Sequence, residues 1–93
     1  MEQLVLTKVL PIRNRLGLHA RAAAMLVQTI SRFDATIKVC KDGQVVDGRS
    51  ILGLLMLAAG QGTSIEVTAE GPQAQEALNA IEELLARGFD EAE

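Results

Sequence analysis

A chain of 93 residues with a formal net charge of −3 has room for one small hydrophobic core and not for two. It carries neither a Lys/Arg run nor an aromatic cluster, which argues against nucleic acid as a partner. The single cysteine, Cys40, excludes an internal disulfide and fits a reducing, cytoplasmic compartment, and one histidine beside one cysteine leaves too little for a zinc site.

No Trp or Tyr and only two Phe are present, so the core must be aliphatic. No secretory leader is visible, and the longest apolar run, 51–59, is too short to span a bilayer. Residues 3–10 are rich in β-formers and predict a strand, weakened at its end by Pro11. Residues 14–17 predict a loop. A helix is predicted over 20–32, where Ala23, Leu26, Val27 and Ile30 recur at helical spacing. Residues 36–40 alternate with period two, Asp42-Gly43 signals a hairpin turn, and 44–47 form the returning strand. After a break at 48–50, residues 51–57 predict a short apolar helix, ended by Ala59-Gly60-Gln61-Gly62. Residues 63–69 alternate again. Gly71-Pro72 opens the last helix, whose apolar stripe is Ala74, Ala77, Leu78, Ile81, Leu84 and Leu85. Gly88 reads as its C-terminal cap, after Arg87 at the favourable end of the dipole. One domain is expected over 1–89, with a frayed tail at 90–93. The order β-α-β-β-α-β-α gives helices enough to cover one face of a four-stranded sheet. The class is α+β, with the other sheet face open to water.

The stretch Gly17-Leu18-His19-Ala20-Arg21-Ala22 holds the only histidine, placed after a glycine and immediately before a strong helix former. A helix start offers unpaired backbone N–H groups and the positive end of a macrodipole, which suit an anion such as phosphate. An imidazole there is a nucleophile in an environment that stabilises its phosphorylated product. Arg21 adds a multidentate donor for phosphoryl oxygens, and the backbone at Ala20, Arg21 and Ala22 is the predicted phosphate-binding segment. Taken locally, a histidine at a helix start is also an ordinary surface or capping residue, and Ser50 before a helix an ordinary N-cap. Gly53 at the third helical position leaves no capping box. Ile51, Leu52, Leu54, Leu55, Met56 and Leu57 cannot all face a core from two turns of helix, and an exposed apolar excess commonly marks a partner site.

Three segments, Gly17-Leu18-His19-Ala20-Arg21, Arg49-Ser50-Ile51-Leu52-Gly53-Leu54-Leu55 and Ala58-Ala59-Gly60-Gln61-Gly62-Thr63-Ser64-Ile65, resemble the histidine-containing phosphocarrier family, HPr, of the phosphoenolpyruvate-dependent phosphotransferase system. The resemblance implies an open-faced β-sandwich with an antiparallel sheet. It implies a monomeric, stoichiometric carrier rather than an enzyme, working without metal or organic cofactor. His19 would accept a phosphoryl group on Nδ1 from phosphorylated Enzyme I and pass it to an enzyme IIA-type domain. Ser50 matches the serine modified by HPr kinase/phosphorylase, and the helix at 51–57, through Ile51, Leu52 and Leu55, would help dock partners. One departure stands out: Ala22 occupies the place where many members carry proline. The rival readings are a regulatory adaptor acting through Ser50 and the apolar helix, and a small-molecule-binding α+β domain.

Overall fold

Alternating apolar residues decide the sheet. In a computed structural model that describes residues 5–91, Ile65, Val67 and Ala69 of one strand and Ile37 and Val39 of another are buried on a single sheet face. Their neighbours point the other way, as the period of two requires. The strands are β1 (Val5–Pro11), β2 (Thr36–Lys41), β3 (Gln44–Asp47) and β4 (Ser64–Glu70). They pair in the order β1-β4-β2-β3, antiparallel throughout. On the covered face Leu10 lies opposite Ile65, and Val39 opposite Val67. On the open face Cys40 lies between Glu66 and Val45.

The helices α1 (Ala20–Ile30), α2 (Ile51–Met56) and α3 (Ala74–Ala86) close the covered face. α3 lies over β1 and β4, α1 packs against both α2 and α3, and α2 leans on β3. The stripe predicted for α3 is its buried face in full, and Leu26 and Ile30 of α1 are completely buried against it and the sheet. Burial of such a Leu or Ile contributes about 1.5–3 kcal/mol. The architecture is the α+β open-faced sandwich expected from the sequence.

Boundaries shift where local chemistry decides them. β1 runs on through Pro11, because Ile12 donates its N–H to Thr63 O at 2.8 Å and so leaves the donorless Pro11 facing outward on an edge strand. The start predicted for that strand, Gln3 and Leu4, lies outside the described residues. α1 stops at Ile30, two residues short of Arg32, where Ser31 turns its hydroxyl back to Val27 O at 2.8 Å. The next bonds tighten to the i→i+3 type at Arg32 and Phe33. α3 starts at Ala74 rather than at Gly71-Pro72, because Gly71 takes φ +124° and Gln73 is held across the domain by Asp34.

The segment after α3 turns left-handed, starting at the glycine expected to cap the helix. Gly88, Phe89 and Asp90 take three consecutive positive φ angles, +62°, +56° and +55°. For the two non-glycine residues this costs about 1–2 kcal/mol each. Phe89 offsets it by burying its ring, which is 3% exposed. Asp90 is held by Arg87 Nε at 3.0 Å, a contact that raises the Arg87 guanidinium above its usual value. Of the tail expected to fray over 90–93, Asp90 and Glu91 are among the described residues, while Ala92 and Glu93 lie outside them.

Candidate functional site

His19 occupies the N-cap of α1 with extended backbone, φ −82° and ψ −179°, and its side chain closes no capping bond. The helical ladder begins only when Ala23 N–H reaches His19 O at 2.8 Å. The N–H groups of Ala20, Arg21 and Ala22 thus have no acceptor within the helix. No acidic residue lies in the first turn, so nothing in α1 itself offsets the positive end of its dipole. The imidazole is about one-third exposed, at 30%.

What holds His19 there comes from two loops. Gly17 has φ +68°, and a Cβ on it would stand 2.6 Å from Ala59 O and 2.9 Å from Gly60 Cα. Only glycine fits this close backbone approach. The approach lets Leu18 N–H donate to Ala59 O at 2.8 Å. Asn14, buried at 5% exposure, donates from Nδ2 to Gly17 O at 2.8 Å and accepts Gly17 N–H on its backbone carbonyl at 3.2 Å. Farther back, Gly62 N–H bonds Ile12 O, and Gln61 Nε2 bonds Arg13 O. The third sequence segment therefore acts as the buttress of the first.

Arg21 is exposed on the first turn of α1, and no ion pair ties it down among the described residues. It lines a cavity of about 250 Å³ together with Leu16, His19, Ala22, Met25, Phe89 and Glu91. Ala22 is fully buried, whereas Ala20 is exposed. The Glu91 carboxylate accepts Leu16 N–H at 3.2 and 3.3 Å and stands 4.0 Å from His19 Nε2. Asn14, Leu16, Phe89 and Glu91 escaped the sequence reading. The one available signal was a phenylalanine just past a capping glycine in a chain with only one other.

Ser50 is half-buried and is the N-cap of α2, its hydroxyl accepting Gly53 N–H at 2.9 Å. Neither Ser50 nor any residue of α2 lines the cavity at His19. Arg49, just before it, is spent on structure, donating to the carbonyls of Ala35 and Phe33 at 2.9 and 3.2 Å. Of the three residues expected to dock partners, Ile51 and Leu52 are exposed, at 41% and 71%. Leu55 is half-buried, with part of its side chain packed against the core, and Met56, four residues after Leu52 on the same helix face, is exposed at 64%.

Fold and site together define a small open-faced sandwich that presents its histidine at an uncapped helix start. The family is shown by comparison: the model described as the PTS HPr component phosphorylation site matches residues 6–87, and the chain belongs to the HPr family of the phosphotransferase system. It is 45% identical over 82 residues to the phosphocarrier protein HPr of Cupriavidus necator, covering 88% of this chain and 92% of that one. It is 48% identical over 83 residues to the phosphocarrier protein HPr of Pseudomonas aeruginosa, again covering 88% and 92%. Among solved structures, HPr-C-His from Thermoanaerobacter tengcongensis superposes with a TM-score of 0.84 at 38% identity, covering 100% of both chains. No helix among the described residues is long and apolar enough to cross a membrane.

Proposed function

We propose that this protein is a cytoplasmic phosphoryl carrier that receives the group from phosphorylated Enzyme I on Nδ1 of His19 and hands it to an enzyme IIA-type acceptor. The observation that carries the reading is the partly exposed imidazole at the uncapped N-terminus of α1. The Nδ1 electron pair attacks phosphorus in line while the donor's P–N bond breaks. Alignment within the docked pair removes most of the entropic barrier. The equatorial oxygens are met by the N–H groups at Ala20, Arg21 and Ala22 and by the Arg21 guanidinium. Ile51, Leu52 and Met56 supply apolar area for docking.

Incubation with phosphoenolpyruvate and Enzyme I should add one acid-labile, base-stable phosphoryl group per chain. His19→Ala should take none, and undiminished labelling of that variant would overturn the assignment.

Regulation at Ser50 belongs to the same proposal. A phosphoryl group there would add nearly two negative charges beside Ile51 and Leu52. Ser50→Asp keeps a good N-cap. It should therefore slow Enzyme I-dependent labelling at sub-saturating carrier while leaving the thermal midpoint nearly unchanged. An unaltered rate would remove Ser50 from the regulatory reading.

A further inference from the structure

Two acids in the described tail are treated differently. The Asp90 carboxylate is neutralised by Arg87, whose Nε approaches to 3.0 Å. The Glu91 carboxylate has no Lys or Arg partner among the described residues. It is nearly buried, 12% exposed, and its neighbours are the Leu16 N–H and the Nε2 edge of His19 at 4.0 Å. The contact is not a casual one. A helix followed by three left-handed residues in a row is an unfavourable path, and here it is fixed by the buried Phe89 ring. The path seats Phe89 in the wall of the cavity beside His19 and brings the Glu91 carboxylate to 4.0 Å from the ring.

We infer that Glu91 is a positioning residue for His19: its carboxylate keeps the ring proton on Nε2, so that the free electron pair lies on Nδ1, and it balances the positive charge that the ring gains on phosphorylation. The inference rests on the phosphocarrier reading. At 4.0 Å the Glu91 carboxylate is beyond hydrogen-bond reach of Nε2 and acts through its charge, which favours a proton on the ring edge facing it. A carboxylate that orients a histidine and stabilises the imidazolium is an established arrangement in catalysis. The transfer step balances as follows. The Nδ1 pair forms the new N–P bond, the donor imidazole leaves with the pair of the broken P–N bond, and the proton on Nε2 stays. The phosphorylated ring is then an imidazolium whose proton-bearing edge faces Glu91. The phosphoryl group departs from the opposite nitrogen, away from the carboxylate, so the two negative groups do not compete for one edge.

His19 is the only histidine, so its ring nitrogens are unambiguous in a long-range proton–nitrogen correlation spectrum. The unphosphorylated protein is compared with Glu91→Ala and Glu91→Gln at a pH where imidazole is neutral. The Nε2–H tautomer should dominate in the wild type, and Glu91→Ala should raise the Nδ1–H share. Glu91→Gln keeps an acceptor for Leu16 N–H and removes only the charge. Its labelling by phosphoenolpyruvate and Enzyme I should slow about tenfold, ~1.4 kcal/mol, at an unchanged thermal midpoint. An unchanged tautomer ratio in Glu91→Ala, or labelling of Glu91→Gln within about twofold of wild type, overturns the inference and leaves Glu91 as a latch for Leu16. If the wild type takes no label at all, the phosphocarrier reading fails instead, and the tautomer comparison still decides the role of Glu91.

Discussion

α1 and α2 both start from a residue in extended conformation, and the two starts are finished in opposite ways. At α2 the Ser50 hydroxyl takes the Gly53 N–H at 2.9 Å. At α1 the His19 side chain takes nothing. A cap contributes about 1 kcal/mol, and the two helices differ in how much they depend on it. α1 has eleven residues, and Ala22, Ala23, Leu26, Thr29 and Ile30 are buried along it. α2 has six residues, and Leu54 alone is buried within it. Short helices are marginal without tertiary support or a satisfied end. The uncapped terminus thus falls on the helix whose packing holds it without a cap.

Several substitutions would break or sharpen that contrast. The strongest is His19→Ser, which gives α1 the finish that α2 has. It should abolish phosphoryl labelling while raising stability by about 1 kcal/mol, roughly 4–8 °C in thermal midpoint for a domain this size. A lower midpoint would mean that His19 contributes to the fold as well as to the site. Next comes Gly17→Ala, which attacks the support of the α1 start. It forces a Cβ to 2.6 Å from Ala59 O at φ +68°. Urea unfolding should show a loss of at least ~2 kcal/mol, and a change within error would disprove the buttress.

Arg21→Ala should leave unfolding unchanged and slow transfer by an amount equivalent to about 1.5–3 kcal/mol, the worth of a charge-assisted hydrogen bond. Wild-type rates in both directions would make Arg21 a surface residue. Ser50→Ala should cost about 1 kcal/mol through the lost cap, with no effect on transfer; thermal denaturation alone tests it. The smallest effect is expected of Ala22→Pro. The Ala22 N–H has no acceptor within the helix, and the residue borders the cavity beside His19. Proline restricts Arg21 before it but lowers the entropy of the unfolded chain. The midpoint should stay equal or rise by the equivalent of ~0.4–1 kcal/mol, with transfer within about tenfold. A loss within about tenfold is what one hydrogen bond from the Ala22 N–H is worth; a larger loss at full stability would show that proline also removes an Arg21 geometry on which transfer depends.

The sheet and the long helices were legible because their signal is local. Ile37 and Val39, then Ile65, Val67 and Ala69, alternate against exposed neighbours, and the α3 stripe repeats over three turns. His19 and Ser50 were legible as helix starts for the same reason. Six residues of helix hold too little periodicity to show that Leu55 is half-buried and Met56 exposed, and the packing of α2 on α1 and β3 decides that. The need for Gly17 was visible as a turn signal, but its cause is Ala59, far away in sequence. Least legible was the tail. Left-handed backbone at Phe89 and Asp90 contradicts local preference, and it is offset by burial of Phe89 and by the Arg87–Asp90 pair, neither of which local sequence announces.

The dependence of the 12–18 loop on residues 59–63 has a consequence for how the protein is made. A ribosome extends the chain at about 5–20 residues per second, and His19 emerges well before its support does. Leu18 and Ile12 find their partners only after Ala59 and Thr63 have left the exit tunnel. β1, synthesised first, stays an unpaired edge until β4 arrives to sit beside it. Such long-range pairing slows folding, because the closure entropy must be met before the contacts that reward it. The nascent chain accordingly displays a histidine without a formed site for part of its synthesis. The contacts that set the 12–18 loop require residues 59–63, and the pairing of β1 requires β4, so neither can form before those later segments are available.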